Sequence, residues 1–229
     1  MDIVQPAGPL VGATLVVVLA RRRLYRLCYV FPIYVATVSL AELLPILWPR
    51  TFLNWTFWLT KESAYVLIKL ALALELAGLI FGPFPAAWAA VRRLTIATVL
   101  IMAAAAGASV VAAPDLYALA QTMHTSLATG TALLLVAILT LVLWYNLPVH
   151  ALHQAILRGL VPYLLVFAVV LQLLISYGWS VRQSVSILNA CSYLAVLLYW
   201  TQRARTLPIT TRSDSWIVQR LQPWRNRLD

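Results

Sequence analysis

Three ionisable side chains stand inside long apolar runs of this 229-residue chain: Glu42, Lys69 and Glu75. A charge at the centre of a bilayer costs at least about 2.5–3.5 kcal/mol, so such groups usually face the interior of a helix bundle and have a partner there. A carboxylate and an ammonium can form an ion pair, bind a polar ligand or pass a proton. These three residues are therefore the first candidates for chemistry.

Glu42 and Lys69 are expected at the same depth. They lie about six and about eight residues below the outer ends of two neighbouring predicted helices. An unpaired lysine at this depth is costly, so we predict that the two residues form an interhelical ion pair or share one polar cavity.

Three more polar side chains fall in the same outer layer of the predicted bundle: His124, Gln172 and Asn189. Two interpretations of the whole layer stay open. It is a small outward-facing pocket that binds a ligand or an ion, or it is a buried ion pair with amides that join helices. The predicted ligand-binding set is Glu42, Lys69, His124, Gln172 and Asn189.

Glu75 lies six residues after Lys69 and is turned about 120° away from it on a helix. It therefore needs a different partner, for which Tyr34 and Asn146 are the candidates, or it is protonated in a low dielectric. A proton relay is the functional alternative for this buried acid.

Motifs for catalysis or metal binding are absent from the sequence. It contains no His-Glu-x-x-His, no Gly-x-Ser-x-Gly and no paired histidine boxes. His150 and His153 follow a proline turn, which is more typical of solvated histidines than of metal or haem ligands. Cys28 and Cys191 are expected at opposite ends of the bundle, where they cannot form a disulfide. We predict no enzyme activity, no cofactor and no metal.

The composition predicts the elements that position these residues. Hydrophobic residues make up 62% of the chain and charged residues 10%, whereas a soluble domain has about 25% charged residues. The net charge is +10, but the basic residues cluster between apolar runs instead of forming a face for nucleic acid. The prediction is an all-α, polytopic membrane protein.

Seven apolar segments have about the 20 residues needed to cross a bilayer, and residues 1–201 form one transmembrane domain. The basic tail, 202–229, contains a possible interfacial helix on an anionic inner leaflet. The predicted segments are 3–20, 27–48, 61–82, 94–113, 122–145, 157–178 and 182–201.

Basic residues predict the orientation. Of the 17, thirteen fall on one side, three (Arg50, Lys61 and Arg182) on the other, and Lys69 lies inside a segment. The positive-inside rule then places the N-terminus outside and the C-terminus in the cytoplasm of a multi-pass inner-membrane protein. The thirteen are Arg21, Arg22, Arg23, Arg26, Arg92, Arg93, Arg158, Arg203, Arg205, Arg212, Arg220, Arg225 and Arg227.

The second and sixth segments align at an offset of 130 residues, and the third and seventh at 120. The first alignment places Pro32 on Pro162 and Glu42 on Gln172, and the second places Lys69 on a neutral amide, Asn189. Together the two alignments predict two parallel halves of three helices around a central fourth helix, with helix kinks near Pro32 and Pro162.

The architecture is similar to that of the seven-helix transporters, microbial rhodopsins and G-protein-coupled receptors. The seventh segment lacks the lysine that binds retinal in the microbial rhodopsins, which disfavours a retinal protein. From Arg21 to about Pro208, the chain resembles a set of bacterial seven-helix membrane proteins without an assigned activity. The resemblance implies the fold and no reaction, and it rests on Arg22, Arg23, Leu24, Tyr25, Glu62, Glu75, Leu188, Asn189 and Tyr193.

Three functions remain in view. We favour a receptor-like or sensor-like bundle with a small-molecule ligand and a cytoplasmic or membrane protein partner. The alternatives are a small-solute or proton-coupled transporter of three-plus-one-plus-three helices, and an accessory subunit of a larger membrane complex. The lipid bilayer is a partner in each, and nucleic acid is not expected to be one.

Overall fold

A computed structural model describes residues 4–112, 116–147, 149–177 and 181–207. Its regular structure is helical, and no strand occurs in these ranges. The helices are α1 (Val4–Arg21), α2 (Val30–Leu47), α3 (Pro49–Phe52), α4 (Trp55–Phe81), α5 (Pro85–Ala112), α6 (Leu116–Trp144), α7 (Ala151–Tyr177) and α8 (Arg182–Thr206), with a 3-10 turn at Leu24–Arg26.

Five helices are long and apolar enough to cross a membrane, which confirms the all-helical, multi-pass membrane prediction for the described part of the chain. They are Val30–Leu47, Trp55–Phe81, Leu127–Trp144, Ala151–Val170 and Gln183–Thr206. One long helix overlaps each of the seven predicted segments, but seven crossings and the orientation of the termini stay predictions. Most of the predicted interfacial helix in the tail lies outside the described residues.

Several helices begin well before the predicted apolar segments, because a capping side chain and not hydropathy decides where a helix starts. Helix α4 begins six residues early, where the Asn54 Oδ1 accepts a hydrogen bond from the Phe57 N–H at 2.7 Å. Helix α7 also begins six residues early, where the His150 Nδ1 accepts from the Leu152 N–H at 3.1 Å.

Six of the long helices form a closed ring through their neighbour contacts, in the order α1, α2, α4, α6, α7, α8 and back to α1. Helix α5 lies outside this ring, against α6 and α4. Its outer surface is apolar and exposed at Leu94, Ile96, Leu100 and Ile101.

Close contacts between helices hold the ring together at two glycines. A Cβ at Gly12 of α1 would meet the Ser39 side chain of α2, and one at Gly159 of α7 would meet the Trp200 ring of α8. Because a glycine has no Cβ, the neighbouring helix can approach closely at both places. The interior of the ring is filled by large side chains that include Leu15, Phe31, Tyr34, Leu72, Leu135 and Leu157.

The two prolines that the predicted repeat aligns lie in different parts of their helices. Pro32 lies in the first turn of α2, where no hydrogen bond within the helix is lost, whereas Pro162 lies in the middle of α7. The fourth predicted segment, now α5, is peripheral and not central. Only the order of helices around the ring is the one expected for two halves, α1–α2–α4 and α6–α7–α8.

Candidate functional site

Lys69 lies on the buried face of α4, in the interior of the ring. Its side chain is only 6% exposed. The Nζ atom lies 5.3 Å from the centre of the Phe167 ring of α7 and 6.0 Å from that of Tyr65, one turn earlier on α4. Both rings are close enough for cation–π attraction, which stabilises the ammonium without neutralising its charge.

Glu42 does not form the predicted ion pair with Lys69, since their charged atoms are not within 4 Å of each other. Glu42 does continue the core-facing stripe of Val35 and Val38 on α2, because these residues are spaced by about one and two turns. Its side chain is itself exposed. An ion pair in this region joins Lys61 and Glu62 at 3.4 Å.

Further aromatic and polar side chains continue from Lys69 to α8. The Phe167 ring lies 6.3 Å from that of Tyr163, which lies 5.3 Å from that of Tyr193. The Asn189 side chain is hydrogen-bonded to Tyr163. We call these residues the Lys69 cluster: Tyr65, Lys69, Tyr163, Phe167, Asn189 and Tyr193.

Two polar atoms of the Lys69 cluster are buried without a hydrogen-bond partner in the described structure: the Asn189 Oδ1 and the Tyr193 hydroxyl oxygen. Leaving such a group unsatisfied costs about 1–3 kcal/mol. The cluster therefore combines a buried cation with unused capacity for hydrogen bonds, which is the chemistry of a binding site for a polar ligand.

Of the predicted ligand-binding set, Gln172, like Glu42, does not join this cluster in the described structure. Gln172 lies on the exposed face of α7, together with Leu165 and Val169, which are 53% and 55% exposed. His124 belongs to α6, and its side chain lies outside the described residues.

Glu75 bonds to the start of α2 and to neither of its predicted partners, Tyr34 and Asn146. Its carboxylate accepts hydrogen bonds from the N–H groups of Tyr29 and Val30, at 2.7 and 2.8 Å, and from the Cys28 thiol at 3.0 Å. The first N–H groups of a helix have no partner within the helix and carry partial positive charge. A carboxylate from α4 thus caps α2.

Other side chains at the same end of the ring also bond to backbone groups of a neighbouring helix or turn. The His153 Nε2 lies 2.9 Å from the Leu27 carbonyl oxygen, and the Arg22 guanidinium donates to the carbonyls of Ala204 and Arg205, each at 2.5 Å. We call this region the hydrogen-bonded end: Arg22, Leu27, Cys28, Tyr29, Val30, Glu75, His153, Ala204 and Arg205.

Protonation at the hydrogen-bonded end follows from burial. Burial, with His153 beside it, lowers the pKa of His150 below its ordinary value of 6.5, and His150 caps α7 with an unprotonated Nδ1. Burial and the adjacent Glu75 carboxylate raise the pKa of the Cys28 thiol. Both side chains are therefore neutral at pH 7, and Cys28 is not a reactive thiolate.

Reasoning from the sequence missed the aromatic members of the cluster: Tyr65, Tyr163 and Phe167. A signal was available in the spacing of four residues that joins Tyr65 to Lys69 and Tyr163 to Phe167, because residues four apart share one face of a helix. No three histidine, cysteine, aspartate or glutamate side chains come together as metal ligands in the described ranges.

Comparison with known proteins gave no match to a family model, to a curated protein or to a solved structure.

Proposed function

We propose that this protein is a receptor-like or sensor-like membrane bundle that binds a small molecule at the Lys69 cluster. One observation carries the proposal: among the described residues, Lys69 is buried without a carboxylate within 4 Å, and the aromatic rings beside it lead to an amide oxygen and a hydroxyl that have no hydrogen-bond partner there. A bundle that needed only stability would gain from apolar residues at these positions.

The ligand would enter from the end of the ring opposite to the hydrogen-bonded end. There Glu42 and the large apolar side chains of Leu47, Trp48 and Leu53 are exposed. The distribution of basic residues assigns this end to the outer side of an inner membrane. The site would then receive its ligand from outside the cytoplasm.

Two helices connect the Lys69 cluster to the hydrogen-bonded end. Helix α4 carries both Lys69 and Glu75, and α7 carries both Tyr163 and His153. A ligand that shifted either helix would also change the hydrogen bonds at the other end of that helix. A partner protein bound near the arginines of the hydrogen-bonded end would detect that change. Such coupling requires two discrete arrangements of these helices.

An accessory subunit is the second candidate, because α5 lies outside a ring that closes without it and its exposed outer surface is apolar. Such a face fits either lipid or another membrane protein. The transporter hypothesis relied on the repeat, and the peripheral position of α5 does not fit the central fourth helix of that repeat. The resemblance to bacterial seven-helix proteins is compatible with all three functions.

The test is a ligand screen with the full chain in lipid nanodiscs. Thermal unfolding is measured with water-soluble acids, amines, sugars and neutral amides. We expect at least one class to raise the Tm of the wild type and to lose that effect in the double variant Asn189→Leu with Tyr193→Phe. Gln172→Leu is the matched control and should respond like the wild type.

Two further measurements separate the alternatives. Uptake of the stabilising compound into proteoliposomes would indicate transport. Absence of any stabilising class, together with copurification of a stoichiometric membrane partner, would replace the proposal with the accessory role.

A further inference from the structure

We infer that the Lys69 cluster binds a small organic carboxylate, whose charged group meets the Lys69 ammonium and whose apolar body lies against the rings of Tyr163 and Phe167. This inference rests on the proposed function, because it names the class of ligand for the same site. The evidence for it is the charge, the burial and the neighbours of the Lys69 side chain.

The sign of the ligand charge follows from what surrounds Lys69. A buried cation needs a counter-charge, and aromatic rings supply only part of that stabilisation. Glu62 lies seven residues earlier on α4, about 10 Å along the helix axis; its charge attracts Lys69 from that distance, while its direct ion pair is with Lys61 at 3.4 Å. Glu42 does not reach Lys69. An anion supplied by a ligand would complete the site, whereas a cationic ligand would be repelled.

The number of charges favours a carboxylate over a phosphate. Proteins usually bind phosphate groups with several cationic or backbone donors, often with arginine forks. The described Lys69 cluster has one ammonium, the Tyr193 hydroxyl as an unused donor and the Asn189 Oδ1 as an unused acceptor. This set fits a monoanion with a second polar group.

The aromatic rings favour a ligand with an apolar body. The Tyr163, Phe167 and Tyr193 rings form a continuous series from Lys69 to α8, with centres 5.3–6.3 Å apart. An aromatic acid from the aqueous phase and a fatty acid from the bilayer share this chemistry of a carboxylate on an apolar body. The experiment must therefore distinguish the two sources.

The experiment measures binding to the full chain in phosphatidylcholine nanodiscs by calorimetry. The probes are phenylacetate, its neutral amide phenylacetamide, its cationic analogue phenethylamine, and decanoate. We expect phenylacetate or decanoate to bind at least about 30-fold more tightly than the amide, since an unpaired buried charge is costly. The amine should not bind. Binding of decanoate alone would assign the anion to the bilayer.

Variants test whether the carboxylate meets Lys69. Lys69→Met should lower carboxylate affinity at least about 30-fold, and Tyr193→Phe, which removes only a hydroxyl, about tenfold. Gln172→Leu on the exposed face of α7 should leave the affinity unchanged. Should Lys69→Met fail to fold, the comparison of acid with amide in the wild type and the Tyr193→Phe variant still decide the question.

The outcomes separate this inference from the proposed function. If the amide or the amine binds as tightly as the carboxylates, or if Lys69→Met keeps the carboxylate affinity, the inference is wrong while ligand binding stands. If the broad screen finds ligands but none is a carboxylate, the inference is likewise wrong. If neither experiment finds a ligand, both fail.

Discussion

The hydrogen-bonded end and the Lys69 cluster use buried polar groups in opposite ways. At the hydrogen-bonded end, Glu75 bonds to two backbone N–H groups and His153 to a carbonyl, so polar side chains join one element to the next. In the Lys69 cluster, the ammonium faces aromatic rings, and two polar atoms have no hydrogen-bond partner among the described residues. Satisfied groups stabilise a fold, and unsatisfied groups cost stability that a ligand can restore.

This comparison makes stability the first quantity to measure. A change at the hydrogen-bonded end should lower the free energy of unfolding even without a ligand. Removing the charge of the Lys69 cluster should leave the free energy of unfolding unchanged or raise it, because replacing a buried ion by an apolar residue is often neutral or stabilising.

The largest effect is expected for Glu75→Ala, which leaves the N–H groups of Tyr29 and Val30 and the Cys28 thiol without their shared acceptor. We expect the free energy of unfolding to fall by about 2–4 kcal/mol in a denaturant titration in detergent. Glu75→Gln keeps one acceptor oxygen and should lose about half as much. Wild-type stability in Glu75→Ala would remove the distinction between the two regions.

An intermediate effect is expected for Gly159→Ala, because the added methyl group would meet the Trp200 ring. That ring also donates a hydrogen bond to the Ala155 carbonyl at 3.0 Å. We expect a loss of about 1–3 kcal/mol from overpacking, measured as a lower Tm. Gly78→Ala is the matched control: no atom lies within 4 Å of its added Cβ, so we expect a gain of about 0.5–1 kcal/mol. Equal effects of the two changes would show that α7 and α8 are not in close contact.

The smallest effect concerns pH and His150, whose pKa in the folded protein lies below its ordinary value of 6.5. Residue 150 therefore binds a proton more readily in the unfolded chain than in the folded protein. The stability that neutral His150 contributes is complete above pH 6.5 and falls as the pH drops from 6.5 toward the lower pKa of the folded protein. His150→Asn keeps a capping side chain that does not titrate. Between pH 7.5 and 5.5, the wild type should lose about 0.5–1 kcal/mol more than this variant.

All other side chains are common to both proteins, so the difference reports on residue 150. Melting curves at the two pH values measure it. A pH dependence equal in wild type and His150→Asn would show that His150 does not contribute to it.

The sequence was sufficient to predict helices, membrane character and the inward position of Lys69, because these depend on composition and on periodicity. It was not sufficient for partners. The predicted partner of Glu75 was a side chain, but its carboxylate bonds to backbone N–H groups. Every residue except proline has such a group, so no sequence pattern identifies the ones that Glu75 binds. Lys69 was expected to meet a carboxylate and instead meets two aromatic rings.

The direction in which a side chain faces was equally difficult to predict for an apolar helix. Gln172 shares the depth predicted for Asn189, but the exposed side chains beside it on α7, Leu165 and Val169, are as apolar as those in the core. Without an alternation of polar and apolar faces, the sequence does not show which residues point into a bundle.

Closure of the ring has a consequence for how the protein is made. Helix α1 packs against α8, and Arg22 bonds to carbonyl groups 182 and 183 residues later in the chain. Translation proceeds at about 5–20 residues per second, so the first helix waits on the order of ten seconds or more before its last neighbour exists. Until then the nascent bundle has an open seam on α1, and lipid, a membrane chaperone or another copy of the chain can occupy it. Truncation within α8 would leave that seam permanently open, so closure of the ring depends on a helix that is synthesised long after α1.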